Sequence, residues 1–200
     1  MFKDRYGLTQ AVLEGRKTMT RRIISKRDED WFRMQYGEEY ERWMRNTQFM
    51  YMEVLAVAQS YKSIAIELEK RGGKRTDKYF DKYYLARQMG RVSDTDAGWH
   101  NKMFVQAYLM PHHIRITDIK VERLQDISDG DCLKEGIKCF PSDVMPYLYT
   151  FDDIGCDKNW NTPQEAFARL IDEVSGKGTW NRNPFVFAYT FELVEKGGDQ

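Results

Sequence analysis

The chain has 200 residues, of which 42% are apolar and 14% aromatic, enough for a hydrophobic core and too much for a disordered polypeptide. Its formal net charge is zero, which argues against a protein that binds nucleic acid over its whole surface. No apolar stretch is long enough to span a bilayer, and the opening "MFKDRYGLTQ" lacks the apolar centre of a signal peptide; no membrane and a cytoplasmic location are expected.

The charge is unevenly spread. Residues 1–27 carry a net +6 and residues 118–200 a net −7, so the N-terminal segment suits a local anionic ligand such as a phosphate or a short RNA. Cys132, Cys139 and Cys156 are odd in number and irregularly spaced, and His112 and His113 are adjacent, facing opposite sides of a strand. Neither a disulfide framework, nor a metal site, nor a cofactor is expected. A Ser/His/Asp or Cys/His catalytic motif and a phosphate loop of the G-x-x-x-x-G-K type are absent.

Along the chain, "LTQAVLEG" predicts a short helix with Thr9 as cap and Gly15 as its left-handed terminus. "KTMTRRII" is β-branched, hydroxylated and basic, and predicts a strand. The stretch between, "EGRKTMTRR", is thus a helix-to-strand corner, a place where backbone is exposed and binding chemistry often sits. Residues 26–50 alternate charge with Trp31, Phe32, Tyr36, Tyr40, Trp43 and Phe49, which predicts a helical excursion packing aromatics inward, or else stacking surfaces for bases. "YMEVLAVAQSY" reads as a buried strand.

Residues 62–102 read as an insertion holding two helices, "SIAIELEKR" and "TDKYFDKYYLARQMG", the second capped by Thr76. "HIRITDIKVERL" alternates like a strand, with a phase slip near Thr117–Asp118 that suits a bulge. Ser128 and Asp131 form a weak capping box for "DGDCLKEG", closed by Gly136. "NTPQEAFARLIDEVSG" predicts a helix with a Thr162–Glu165 capping box, Pro163 at the first position and a buried stripe of Phe167, Leu170, Ile171 and Val174. "NPFVFAYTFELV" predicts a strand whose face of Phe185, Phe187, Tyr189, Phe191 and Leu193 is buried. The order does not repeat as βαβ. An α+β fold follows, a small and mostly antiparallel barrel or curled sheet with helices against it.

Three of these stretches, "AVLEGRKTMTRRI", "ITDIKVERLQDISDGDCLKEGI" and "GKGTWNRNPFVFAYTFELV", together resemble the ASCH domain, a relative of the PUA fold, in the form found in phage and prophage proteins. Gly15, Lys17, Thr20 and Arg22 stand at the places of the family's G-x-K-x-x-T-x-R signature, and Trp180, Asn183, Pro184, Val186 and Phe191 match its closing strand. The chain departs from the family's "VRE-x-W" at the second strand, where it carries Gln59 and Tyr61. The resemblance implies a single PUA-like β-barrel domain over 1–200, with insertions at 26–50 and 62–102. It also implies RNA binding, or an amidohydrolase removing the acyl group of N4-acetylcytidine, with Lys17 as base, Thr20 as nucleophile and Glu135 as orienting or proton-relaying group.

Chemistry sets conditions on that set. A threonine hydroxyl needs a base, and a lysine serves once its pKa falls, as Arg16, Arg21 and Arg22 nearby would favour. Glu135 opposes this if it is locked onto the ammonium. It also sits at a helix C-terminus, where the macrodipole disfavours a carboxylate by about 0.3–1 kcal/mol. Residues 17 and 20 differ in parity, so Lys17 and Thr20 converge only if the corner extends past Lys17. Thr18 and Arg22 share Thr20's parity and either line a pocket or form a polar strand face; Trp180 and Asn183 either close that pocket or build a structural turn. Three functions are carried forward: binding of RNA or a modified nucleoside at the basic corner, with Arg16, Thr18, Arg21, Arg22, Trp180 and Asn183 as ligand contacts; N4-acylcytidine amide hydrolysis; and a non-catalytic phage-derived interaction module.

Overall fold

The computed structural model describes residues 2, 6–70, 86–87, 90, 92–143, 146–151 and 159–194. Thr76 and most of the helix predicted around it lie outside these, as does Cys156. The chain divides into two compact units, one of Met1–Phe2, Val54–Ile114 and Val194–Gln200, the other of Lys3–Glu53 and Arg115–Leu193. The 62–102 stretch belongs to the first unit, and the 26–50 stretch to the second.

In the first unit, α4 (Tyr61–Lys70) carries Tyr61, Ile64 and Leu68 into a core shared with Val92, Val105, Leu109 and Met110. The edge strand β2 (Val54–Ala56) is only three residues long and its Val54 is exposed, so the expected buried strand is a short rim instead. Glu67 is held by His112 Nε2 at 2.5 Å and by Gln59 Nε2 at 3.1 Å.

The second unit contains α1 (Leu8–Leu13), β1 (Met19–Ile23), α2 (Lys26–Tyr36), α3 (Tyr40–Trp43), most of β3 (His113–Arg123), α5 (Asp129–Lys134), the hairpin pair β4 (Lys138–Phe140) and β5 (Leu148–Thr150), α6 (Pro163–Ser175), α7 (Thr179–Arg182) and β6 (Phe185–Val194). Its sheet is curled and antiparallel, with β6 between β1 and β3. In the register of β1 against β6, Thr20 lies opposite Tyr189, Arg21 opposite Ala188 and Arg22 opposite Phe187. Opposed residues share a face, so Thr20, Arg22, Phe187 and Tyr189 line one side of the sheet and Arg21 the other.

Local chemistry explains most boundaries. Ser25 caps α2 by accepting from the Asp28 amide at 3.1 Å, and Gly37 ends it at φ +57°. Thr162 and Glu165 form the reciprocal capping box of α6. Thr9 is no cap: α1 starts one residue earlier, behind Gly7 in the left-handed region. Val174 is only half-buried, and Phe185–Tyr189 of β6 are buried on both faces while Leu193 is exposed. The predicted phase slip falls where β3 leaves the core, with Ile114 and Ile116 buried and Asp118 exposed.

The Phe185, Phe187 and Tyr189 face of β6 is covered by the 26–50 segment. Trp43 is completely buried, with Phe32, Tyr40 and Phe185 at ring distances of 5.3, 5.2 and 5.4 Å. Trp31, on the same helix as Phe32, instead keeps 43% of its surface exposed. No described helix is long and apolar enough to cross a membrane.

These positions predict opposite responses from two tryptophans. Trp43→Ala should cost about 3–5 kcal/mol in urea unfolding, as a large core truncation does. Trp31→Ala should change stability by roughly 0.5 kcal/mol or less, the range of surface substitutions.

Candidate functional site

The basic corner is built by two turns that bring α1, β1 and α5 together. Gly15 takes φ +72°, after which the Lys17 amide returns to Ala11 O and the Thr18 amide reaches Lys134 O, both at 2.9 Å. Gly136, at φ +105°, ends α5 where a Cβ would lie 3.6 Å from Lys17 Cδ and 3.4 Å from Leu8, so the aliphatic stem of Lys17 threads past a residue without a side chain.

Lys17 and Glu135 meet there, both buried. Lys17 Nζ donates to Glu135 Oε2 at 2.6 Å, to Glu135 O at 2.7 Å and to Met19 O at 2.8 Å, three acceptors that match the three protons of an ammonium. Burial pushes this lysine below its ordinary range, Glu135 opposes that shift, and the like charges of Arg22 and Arg21 reinforce it. The other carboxylate oxygen of Glu135 accepts from Arg21 Nη1 at 3.1 Å. Arg21 also holds Glu122, with Nη2 to Oε1 at 2.6 Å, and reaches Asp131 at 3.4 Å. Burial works against the Arg21 charge, but Glu135 and Glu122 outweigh it and raise its pKa. Lys120 and Lys134 complete the network on Glu122 and Asp131.

Glu135 is therefore locked between two cations. Its awkward place at a helix C-terminus is offset by Lys17, whose ammonium bonds the carboxylate and the carbonyl of the same residue. Thr20 does not join them. It points to the opposite face of β1, and among the described residues no hydrogen bond ties its hydroxyl to Lys17 or Glu135. The corner does not extend far enough to reverse that parity, because strand pairing is already established at Met19.

The remaining expected contacts are placed as follows. Arg16 is half-exposed and paired with Glu14 at 2.7 Å. Thr18 is half-buried, with its carbonyl bonded to Phe191. Trp180 packs edge-on to Phe167 while its amide and that of Gly178 bond to Asp172, which holds that carboxyl below the usual range. Asn183, at φ +44°, receives the Gln125 amide on Oδ1 and Arg123 on its carbonyl. Trp180 and Asn183 thus build the structural turn.

Arg22 differs from its neighbour Arg21. Its Nε is buried without a hydrogen-bond partner, and among the described residues no carboxylate pairs with its guanidinium. It lines a cavity of about 460 Å³ together with Asp28, Trp31, Phe32, Gln48 and Tyr189. The Tyr189 hydroxyl, on another residue lining the same cavity, is likewise buried and makes no hydrogen bond of good geometry, although the Thr47 side chain and the Phe49 and Gln48 backbone lie close enough to favour its ionised form and oppose the effect of burial. Burial raises the Tyr189 phenol above its ordinary 10, so it is a neutral hydroxyl at physiological pH. Buried polar groups without a partner are rare in folded proteins, and these two sit on residues that line the same cavity. The exposed Trp31 indole supplies a flat wall beside them. Sequence reasoning singled out Arg22 but missed Tyr189, Asp28 and Gln48, because the register that sets Tyr189 beside Thr20 is not written in either strand alone. Among the described residues no group of three His, Cys, Asp or Glu could hold a metal ion.

The two clusters should respond differently to mutation. Glu135→Leu leaves the buried Lys17 ammonium without its carboxylate and removes one of the three that hold Arg21, and should cost about 3–5 kcal/mol in urea unfolding. Lys17→Met leaves Glu135 its bond to Arg21 and should cost less, roughly 1–3 kcal/mol. A larger loss from Lys17→Met would contradict this ordering.

The chain matches no family model, no curated protein and no solved structure.

Proposed function

We propose that the protein binds a nucleoside, free and modified or within an RNA strand, in the cavity formed by Arg22, Trp31 and Tyr189. The observation that carries the reading is the pair of buried, unbonded polar groups, Arg22 Nε and the Tyr189 hydroxyl, on two residues that line one cavity. A volume of about 460 Å³ falls within the roughly 300–1,000 Å³ usual for small-molecule sites. Trp31 offers a stacking surface for a base, worth roughly 1–3 kcal/mol where such contacts are measured. Arg22 suits a carbonyl or phosphate oxygen, and Asp28 and Gln48 suit the donors and acceptors of a base edge. The resemblance of Gly15, Lys17, Thr20 and Arg22 to the ASCH signature supports the same reading, and we propose a PUA-like ASCH protein of phage type on that ground.

Two alternatives each have one observation in their favour. For amide hydrolysis it is the contact of Lys17 with Glu135, although Thr20 stands on the other face. For an interaction module it is the run Met50, Tyr51 and Met52, each more than half exposed.

The test is a titration of intrinsic tryptophan fluorescence, with Trp31→Phe as the control that assigns the signal, using cytidine, N4-acetylcytidine, uridine, adenosine and guanosine, with chromatography following any release of cytidine. At least one nucleoside should bind, and Arg22→Gln should weaken it by tenfold or more, about one charged hydrogen bond. Tyr189→Phe should also weaken binding while leaving stability unchanged or raised, since it removes an unbonded buried hydroxyl. Absence of binding by all five sinks the proposal; cytidine release that depends on Lys17 and Thr20 would move the function to hydrolysis.

A further inference from the structure

A second cavity, of about 630 Å³, shares the lining residues Ile23–Ser25 with the first and is also lined by Lys26, Arg123 and Arg182. Most described arginines are matched by acids, as Arg16 is by Glu14, Arg42 by Glu39, Arg115 by Glu192 and Arg169 by Glu173. Arg123 and Arg182 are not: among the described residues neither has a carboxylate within ion-pair distance. Both are instead held by neutral groups. The Arg123 guanidinium lies 3.7 Å above the Phe185 ring and donates to Asn183 O at 3.2 Å, while Arg182 Nη2 donates to Thr179 Oγ1 at 2.9 Å. The one carboxylate lining this cavity, Glu29, is engaged by Arg33 at 3.3 Å and by Lys26 at 3.9 Å. Lys26 is paired with Asp30 at 2.7 Å, so the cationic character comes from the two arginines, one guanidinium fixed by stacking and one on an exposed helix end.

From this arrangement we infer that the second cavity is a phosphodiester subsite, and that the ligand is a single RNA strand whose backbone crosses the end of β1. The inference rests on the nucleoside reading of the first cavity. Residues 23–25 line both cavities, and three extended residues span roughly 10 Å, so a nucleoside held at Arg22 and Trp31 places the backbone phosphates of the adjoining nucleotides beside Arg123 and Arg182. Stacked and unpaired guanidinium groups are suited to phosphate oxygens, to which they donate two parallel N–H bonds. Asn183, at φ +44°, and Pro184 keep the loop that carries Arg182 tight against the end of β3, which fixes the spacing of the two arginines.

The experiment uses the full chain with two probes: an equimolar mixture of the four nucleosides, read by intrinsic tryptophan fluorescence, and a fluorescein-labelled random-sequence RNA hexamer, read by anisotropy. The hexamer should bind at least about tenfold tighter than the nucleosides at low salt, as phosphate contacts add salt-dependent affinity. Arg182→Glu, at an exposed position, should weaken the hexamer by about tenfold or more and leave nucleoside affinity within about twofold; Arg182→Gln should lower the slope of log affinity against log salt by about one. Inorganic tripolyphosphate should displace the hexamer without displacing the nucleosides. An unchanged hexamer affinity in Arg182→Glu, with nucleosides still bound, overturns the subsite alone. Equal loss of both ligands shows one shared site and also overturns it. If neither probe binds the wild-type chain, the nucleoside reading falls and takes the subsite with it.

Discussion

Everything at the basic corner depends on one carboxylate held by two cations. Glu135 gives one oxygen to Lys17 and the other to Arg21, inside a region from which water is almost excluded. A buried charge left alone is costly, and this one joins the end of α5, the turn after α1 and the first residues of β1. Glu135 lies 118 residues from Lys17 and 114 from Arg21, so the ion network ties the end of α5 to the α1–β1 corner across the sequence. Gly136 and Gly15 permit the close approach, and Arg21 extends it to Glu122 on β3 and Asp131 on α5.

That satisfaction has a functional consequence through strand geometry. Alternation along β1 sends Arg21 to the saturated side and Arg22 to the other, where its Nε and the Tyr189 hydroxyl have no partner. Two adjacent arginines of the same segment therefore do different jobs. One is spent on holding the fold, and the other faces a cavity with an exposed indole. The same contrast separates the two tryptophans of the 26–50 segment, with Trp43 closing the core and Trp31 left at the cavity rim.

Much of this is visible in the sequence because it is governed locally. The Thr162–Glu165 box, the Ser128 cap and the glycines that end α1, α5 and α6 are written in neighbouring residues, and each stands where composition and spacing place it. The candidate residues at the corner are legible as a charged cluster, yet their division into structural and ligand-facing groups is not. It requires the register of β1 against β6 and the partner of each charge, and those partners lie more than 100 positions away, as Glu135 does from Lys17. The parity of Lys17 and Thr20 did carry part of the answer, since it anticipates the separation seen between them. Tyr189 was legible only as a buried aromatic, because its role depends on a hydroxyl left unbonded by residues from another segment.

The most direct measurement is a proton–nitrogen correlation spectrum tuned to arginine Nε, recorded with and without a saturating nucleoside mixture. If the account is right, the Arg22 Nε signal shifts and becomes protected from exchange, while the Arg21 Nε signal, bonded to Glu122 at 2.9 Å, stays where it was. Movement of Arg21 with Arg22 unchanged, or no movement of either at saturation, would contradict it.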